Sequence, residues 1–181
     1  MNSLILLADG FETVEALQTY DLFKRSHKIN VLLCSIKDSL DVVSSQGVQI
    51  KAEILLKDID PKDYDFIVLP GGKLGVENLK KSEDVHQIVK LFLSLGKDVH
   101  AICAAPSILG MLGCLDGLPY TCFPGFQTGN GIWQDVGSVE TPHIITGRSM
   151  GFTMEFAKKI IAHYFGQEAV EAIRPGVEGL C

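Results

Sequence analysis

Residues 98–107 read Asp98-Val99-His100-Ala101-Ile102-Cys103-Ala104-Ala105-Pro106-Ser107, an apolar run that meets a cysteine between small residues and then a proline. Proline suits the first turn of a helix, where its missing N–H is not needed. The stretch therefore predicts a buried strand that turns directly into a helix. Strands that are apolar throughout, rather than alternating, belong to sheets covered on both faces. The same pattern recurs along the chain. "SLILLA" ends at Asp9-Gly10 and precedes "TVEALQTYDLFKR", whose Ala16, Leu17, Tyr20 and Phe23 share a helical face. "INVLLCSI" and "DFIVLP" are further apolar runs, the second stopping at Pro70-Gly71-Gly72. "SEDVHQIVKLFLSLG" opens on a capping hydroxyl and closes at Gly96, and "DVVSSQGVQIKAEI" alternates around Gln46-Gly47 as a small hairpin does.

The helix that starts at Pro106 is expected to stop near Gly113. Residues 114–147 are rich in Gly and Pro, with "HIIT" the clearest strand. "SMGFTMEFAKKIIAHYFG" reads as a long amphipathic helix closed by Gly166, and "QEAVEAI" as one or two more turns. Strands and helices alternating in this way predict an α/β doubly wound sandwich around a mostly parallel central sheet. With 181 residues, 46% hydrophobic and 21% charged, the chain fits one domain, residues 1–181. A net charge of −6, with no Lys/Arg cluster longer than a pair, argues against nucleic acid or an anionic membrane as partner. The apolar core of "MNSLILLADG" is too short for a secretory leader or a membrane span, which points to a cytoplasmic protein. The cysteines Cys34, Cys103, Cys114, Cys122 and Cys181 are odd in number and form no C-x-x-C pair. That disfavours a disulfide framework and a structural zinc site.

In such sheets, sites form beyond the carboxyl ends of the strands. Three segments fall there: Asp9 to Glu15, Pro70 to Gly75, and Cys103. Small residues two before and two after a nucleophile, here Ala101 and Ala105, permit a sharp strand-to-helix elbow. An elbow places the thiol at a helix N-terminus, where the dipole favours thiolate, and offers the Ala104 N–H to an oxyanion. A packed strand-end cysteine produces the same local pattern. Likewise, Glu12 and Glu15 suit the start of any helix, and paired glycines suit any tight turn. Only the three together supply an acid, a thiol and a donor loop.

The segments "ADGFETVEA", "VLPGG", "AICAAPSIL" and "TGRSMGFTMEFA", in this order over nearly the whole chain, resemble the successive motifs of the ThiJ/PfpI family. The match is most similar to the branch of the human Parkinson's-linked deglycase and its bacterial relatives. This resemblance implies a flavodoxin-like fold related to the class I glutamine amidotransferases, a homodimer, and an oxidisable cysteine working without cofactor or metal. It assigns Cys103 as the reactive thiol, Glu15 as the acid bonded to it, and Gly72 and Ala104 as oxyanion donors. Gly71, Cys122, Phe123 and Arg148 are accessory positions in or beside the motifs.

Glyoxalase action on methylglyoxal, protein deglycation and redox-linked chaperone activity have been attributed to such proteins, in settings of oxidative and carbonyl stress. The expected partners are thus a small aldehyde or a glycated protein. The chain departs from the family where one branch carries a histidine and Phe123 stands here, and where another carries one at the position of Ala104. None of His27, His86, His100, His143 or His163 lies in a matching motif, and His100 is expected to be satisfied locally. Three readings follow: a Cys103-dependent aldehyde enzyme, a redox sensor or chaperone, and, last because no H-x-E sequence is present, an amidotransferase or peptidase.

Overall fold

The structure, a computed structural model, describes residues 1–180. The chain runs β1 (Asn2–Leu7), α1 (Thr13–Arg25), β2 (Asn30–Ser35), β3 (Asp41–Val43), β4 (Gln49–Lys51), β5 (Ile54–Leu55), β6 (Phe66–Leu69), α2 (Lys73–Lys81), α3 (Glu83–Ser94) and β7 (Asp98–Ile102). It continues through α4 (Pro106–Met111), β8 (Pro119–Tyr120), β9 (Ile132–Trp133), β10 (Ser138–Glu140), β11 (Ile145–Gly147), α5 (Thr153–Phe165) and α6 (Gln167–Glu178). The main sheet has the order β10-β11-β7-β6-β1-β2-β5. Its neighbours are parallel except for the edge pair β10–β11.

Both faces of this sheet are covered, as the apolar strands require. On one face Leu4, Leu6, Ile67, Leu69 and Val99 meet Val76, Val89, Phe92 and Ile108 from α2, α3 and α4. On the other, Ile5, Leu7, Val31 and Val68 meet Phe23, Phe156, Ile160 and Val170 from α1, α5 and α6. Each such side chain contributes about 1.5–3 kcal/mol when fully buried. The expected hairpin is present as the antiparallel pair β3–β4. Ser82 caps α3 by accepting the Val85 N–H at 3.3 Å.

Four elements differ from the sequence reading. The buried stripe of α1 is Glu15, Ala16, Thr19, Leu22 and Phe23, with Leu17 and Tyr20 only half-buried, because α1 is wedged between the sheet and α5. Helix α2 was not expected: "KLGVENLKK" buries only Val76 and Leu79 as large apolar residues, too few for a helical stripe to stand out. The "HIIT" strand is displaced to Ile145–Gly147, because Thr141 bonds to the Ile144 carbonyl at 2.9 Å and draws His143 and Ile144 into the turn. Helix α6 has 12 residues rather than one or two turns, since Ala169, Val170 and Ile173 bury a continuous stripe. No helix among the described residues is long and apolar enough to cross a membrane.

Candidate active site

Cys103 immediately follows β7 with φ 65°, a left-handed conformation rare outside glycine. Such a backbone costs on the order of 1–3 kcal/mol and persists only where its surroundings impose it. The surroundings here are two hydrogen bonds: the Cys103 N–H donates to the Gly147 carbonyl at 2.9 Å, and the Cys103 carbonyl accepts the Phe123 N–H at 2.7 Å. A Cβ on Gly147 would stand 2.8 Å from Ile102 Cγ1, so β11 approaches the elbow this closely only with glycine there. Buried Ala104 and Ala105 then lead into α4. The elbow read from the small flanking residues is therefore present.

The acid comes from α1. Glu15 is fully buried, and its Oε2 accepts the Gly71 N–H at 2.8 Å. Its carboxyl stands against the Cys103 thiol, and Oε1 has no hydrogen-bond partner among the described residues. Gly71 makes this approach possible, since a Cβ there would lie 2.5 Å from both Cys103 Cβ and Glu15 Oε2. Gly72, at φ 91°, turns its N–H toward the sulfur, and the Ala104 N–H does the same from the elbow. The loops are clamped together by the Glu12 N–H on the Gly71 carbonyl at 2.9 Å and the Gly75 N–H on the Gly10 carbonyl at 3.0 Å.

Burial raises the Glu15 carboxyl from 4.5 to about 7, although the Cys103 thiol and the Gly71 amide pull it back. Burial first, and the Glu15 carboxylate second, push the Cys103 thiol up to about 12, against the amides of Gly72 and Ala104. This direction is opposite to the one a helix N-terminus alone predicts. α4 begins only at Pro106, and desolvation beside a carboxylate outweighs its dipole. The two groups titrate as a unit. One proton leaves near 7 and the second is held to about 12, so above neutrality the pair carries a single proton. With that proton on Glu15, the sulfur is a thiolate facing two amide donors.

The accessory positions divide. Phe123 is beside the elbow and 44% exposed. Cys122 is fully buried, with its thiol pushed up to about 11 by burial, and behaves as core rather than as a second accessible thiol. Arg148 pairs through its guanidinium with Asp135, and its N–H donates to the Gly137 carbonyl at 2.9 Å. It forms no hydrogen bond with the thiol. Cys34 is buried, with its thiol pushed up to about 12, and Cys114 is half-buried. Cys181 lies outside the described residues.

His100 is fully buried: its Nδ1 accepts the Ile145 N–H at 3.1 Å, and its Nε2 meets the Tyr164 hydroxyl at 3.1 Å. His143 and His163 both engage Asp98. None of the five histidines hydrogen-bonds Cys103. Among the described residues no group of three His, Cys, Asp or Glu is arranged to hold a metal. The Gly147 and Phe123 contacts that fix the elbow escape sequence reading, because both are backbone bonds from distant loops.

The DJ-1/PfpI family pattern matches residues 1–163, which bears out the resemblance carried by the four motifs. Protein DJ-1 homolog B of Arabidopsis thaliana is 34% identical over 91% of this chain, and the deglycase PYRAB04690 of Pyrococcus abyssi is 34% identical over 70% of this chain and 75% of its own length. The chain spans 38% and 44% of the lengths of the two Arabidopsis relatives, homologs B and A. The structure of Toxoplasma gondii DJ-1, described as oxidised, superposes with a TM-score of 0.92 at 28% identity over 98% of this chain and 97% of that one. The chain belongs to the DJ-1/PfpI family.

Proposed function

We propose that this member of the DJ-1/PfpI family is an enzyme of the glyoxalase or deglycase type, acting through Cys103 on methylglyoxal-like aldehydes or their protein adducts. The observation that carries this reading is the fully buried Glu15 carboxyl, held by the Gly71 amide against a thiol that faces the Gly72 and Ala104 amides. With the proton on Glu15, the Cys103 thiolate attacks the aldehyde carbon. The C–S bond forms, the carbonyl pair moves to oxygen, and the amides stabilise the alkoxide until Glu15 protonates it. Glu15 carboxylate then removes the hydrogen from that carbon and returns a proton to the neighbouring ketone carbon through an enediol. The product is a hydroxyacyl thioester, which water cleaves to a hydroxy acid and the free thiol. Electrons stay within the substrate, so the chemistry needs no cofactor. The deglycase name of the Pyrococcus relative supports the same substrate class.

A redox sensor or chaperone is the second reading, favoured by the same donors around the thiol, since they would also hold the oxygens of an oxidised sulfur. The oxidised Toxoplasma relative supports it. An amidotransferase or peptidase is disfavoured by the commitment of His100 to Tyr164 and Ile145. A homodimer in the cytoplasm belongs to the same proposal, with half-exposed Val14 on α1 and Val43 and Val48 at the hairpin as contact surface. Light scattering at micromolar concentration is expected to give the dimer mass, and a monomer refutes that part. The activity is tested by methylglyoxal consumption with wild type, Cys103→Ser and Glu15→Gln. Loss in both variants is expected. Wild-type consumption no faster than Cys103→Ser removes the enzymatic reading.

A further inference from the structure

We propose that the site selects 2-oxoaldehydes bearing an apolar, above all aromatic, substituent, and that Phe123 is the residue that selects them. This specifies the substrate class of the enzymatic reading and rests on it.

The first observation is placement. The Phe123 N–H donates to the carbonyl of Cys103 itself at 2.7 Å, so this residue is fixed beside the nucleophile, yet 44% of it remains exposed. A phenyl ring held half in water gains when a ligand covers it, because apolar area leaves solvent. The second is the neighbouring ring. Phe126 stands edge-on to Phe123 at 6.2 Å and 79°, a geometry favoured by aromatic quadrupoles. The turn carrying both rings is closed by the Phe126 N–H on the Phe123 carbonyl at 3.1 Å and by the Gly125 N–H on Gln127 Oε1 at 2.8 Å. Two rings thus form a short wall that is built before a substrate arrives.

The third observation is charge. The loop leading from β1 into α1 contributes the acids Asp9, Glu12 and Glu15. Lys37 binds Asp9 at 2.6 Å and Arg148 is paired with Asp135, whereas exposed Lys73, next to Gly72, has no ion pair among the described residues. With Asp9 neutralised by Lys37 and Lys73 free beside Gly72, charge does not set the selection, which falls to the two rings. An aryl group beside the substrate's ketone has the two rings to cover.

The test compares kcat/KM for phenylglyoxal, methylglyoxal and glyoxylate in wild type, Phe123→Ala and Phe123→Leu, with Cys103→Ser as blank. The expected wild-type preference for phenylglyoxal over methylglyoxal, and over glyoxylate, which has no apolar substituent, is about tenfold or more. Phe123→Ala is expected to collapse the ratio of the two neutral aldehydes toward one, and Phe123→Leu to restore part of it. A wild-type ratio near one, or a ratio that survives Phe123→Ala, overturns selection by Phe123 while leaving the enzymatic reading in place. If no aldehyde is consumed beyond the blank, the enzymatic reading fails. The apolar subsite is then read without turnover, from Cys103 alkylation by 2-chloroacetophenone, chloroacetamide and chloroacetate, each relative to a free model thiol. A preference for the aromatic reagent that Phe123→Ala abolishes keeps the subsite, and a flat profile overturns it.

Discussion

The Gly71 amide donates to Glu15 Oε2 at 2.8 Å, a buried bond between the end of β6 and the first turn of α1. It occupies one carboxyl oxygen, while the buried Oε1 has no hydrogen-bond partner among the described residues. The same residue, by having no side chain, gives the acid and the sulfur room to meet. Gly71 therefore acts twice, as a donor and as a space.

Gly71→Ala tests that double role. The added Cβ would stand 2.5 Å from Cys103 Cβ and Glu15 Oε2, and neither neighbour can retreat, since both are packed into the elbow and α1. Overpacking of this kind costs about 1–3 kcal/mol. The expected result is a lower melting temperature together with Cys103 alkylation slowed by about tenfold or more. Gly151→Ala, where a Cβ meets nothing within 4 Å, is the control and should change neither. Wild-type alkylation in Gly71→Ala would show that the acid and the thiol do not depend on this contact.

The pH profile of alkylation follows from the shared proton. In wild type the first proton leaves the pair near 7, so the rate of Cys103 labelling should rise through about that pH and then level off. In Glu15→Gln the thiol titrates alone, and burial, the largest influence on it, holds its midpoint above the ordinary 9.0. The carboxylate that helps hold the thiol up is then absent, so labelling is expected to keep rising with pH where wild type levels off, and to exceed wild type at alkaline pH. Glu12→Gln is expected to move the midpoint slightly downward, because the Glu12 charge raises Glu15. Iodoacetamide rates followed by peptide mass spectrometry measure all three, and coincident profiles for Glu15→Gln and wild type would remove Glu15 from the titration.

Much of this arrangement is legible in the chain. β1, β2, β6 and β7 are apolar runs bounded by glycine, proline or charge, and Ala101 and Ala105 around Cys103 announce the elbow. The less legible parts are those decided by tertiary packing. α2 hides because Gly75, which lies against the Phe11 backbone, interrupts an already thin apolar stripe. The family motif singles out Glu15, yet nothing local in "FETVEA" says that it rather than Glu12 is buried. The direction of the Cys103 shift depends on that burial, and so a reading from helix position alone points the wrong way.

Burial of Glu15 also sets a pH dependence of stability. Its carboxyl ordinarily titrates at 4.5 and is raised to about 7 in the folded protein. The folded state thus holds this proton more tightly than the unfolded chain. The stability linked to it is fully present below 4.5 and is lost as pH rises through 7, by on the order of 3 kcal/mol. His100, lowered to about 3 by burial, has the opposite sign: its contribution is present above 6.5 and is lost as pH falls. It is common to wild type and Glu15→Gln and cancels in their difference. Denaturant unfolding at about pH 4.5, 6 and 8 should therefore show the variant gaining on wild type as pH rises. Parallel stabilities across that window would mean that Glu15 carries no raised titration.

Peroxide sensitivity is the last expectation, and it does not follow from thiol pKa alone. Cys34 and Cys103 are both pushed up to about 12, and Cys122 to about 11, so by that measure Cys103 is not favoured. Access separates them first: Cys34 and Cys122 are fully buried, whereas Cys103 and Cys114 are half-buried. The groups around the sulfur separate the remaining two. The cause that raises Cys103 includes the Glu15 charge, which vanishes when the proton moves to the carboxyl, whereas Cys114 is raised by burial and, more weakly, by Asp116, against the lowering by Lys90. Attack of the thiolate on peroxide forms an S–O bond and expels hydroxide, and a second equivalent gives the sulfinate. Its oxygens would lie beside protonated Glu15 and the Gly72 and Ala104 amides, a set of donors that Cys114 lacks. With limiting peroxide, the adduct of about +32 Da should therefore appear first on the Cys103 peptide. First oxidation at Cys114 or Cys122, together with Cys103 alkylation no faster than a free thiol, would make Cys103 a packed core cysteine and leave both the enzymatic and the sensor readings without their nucleophile.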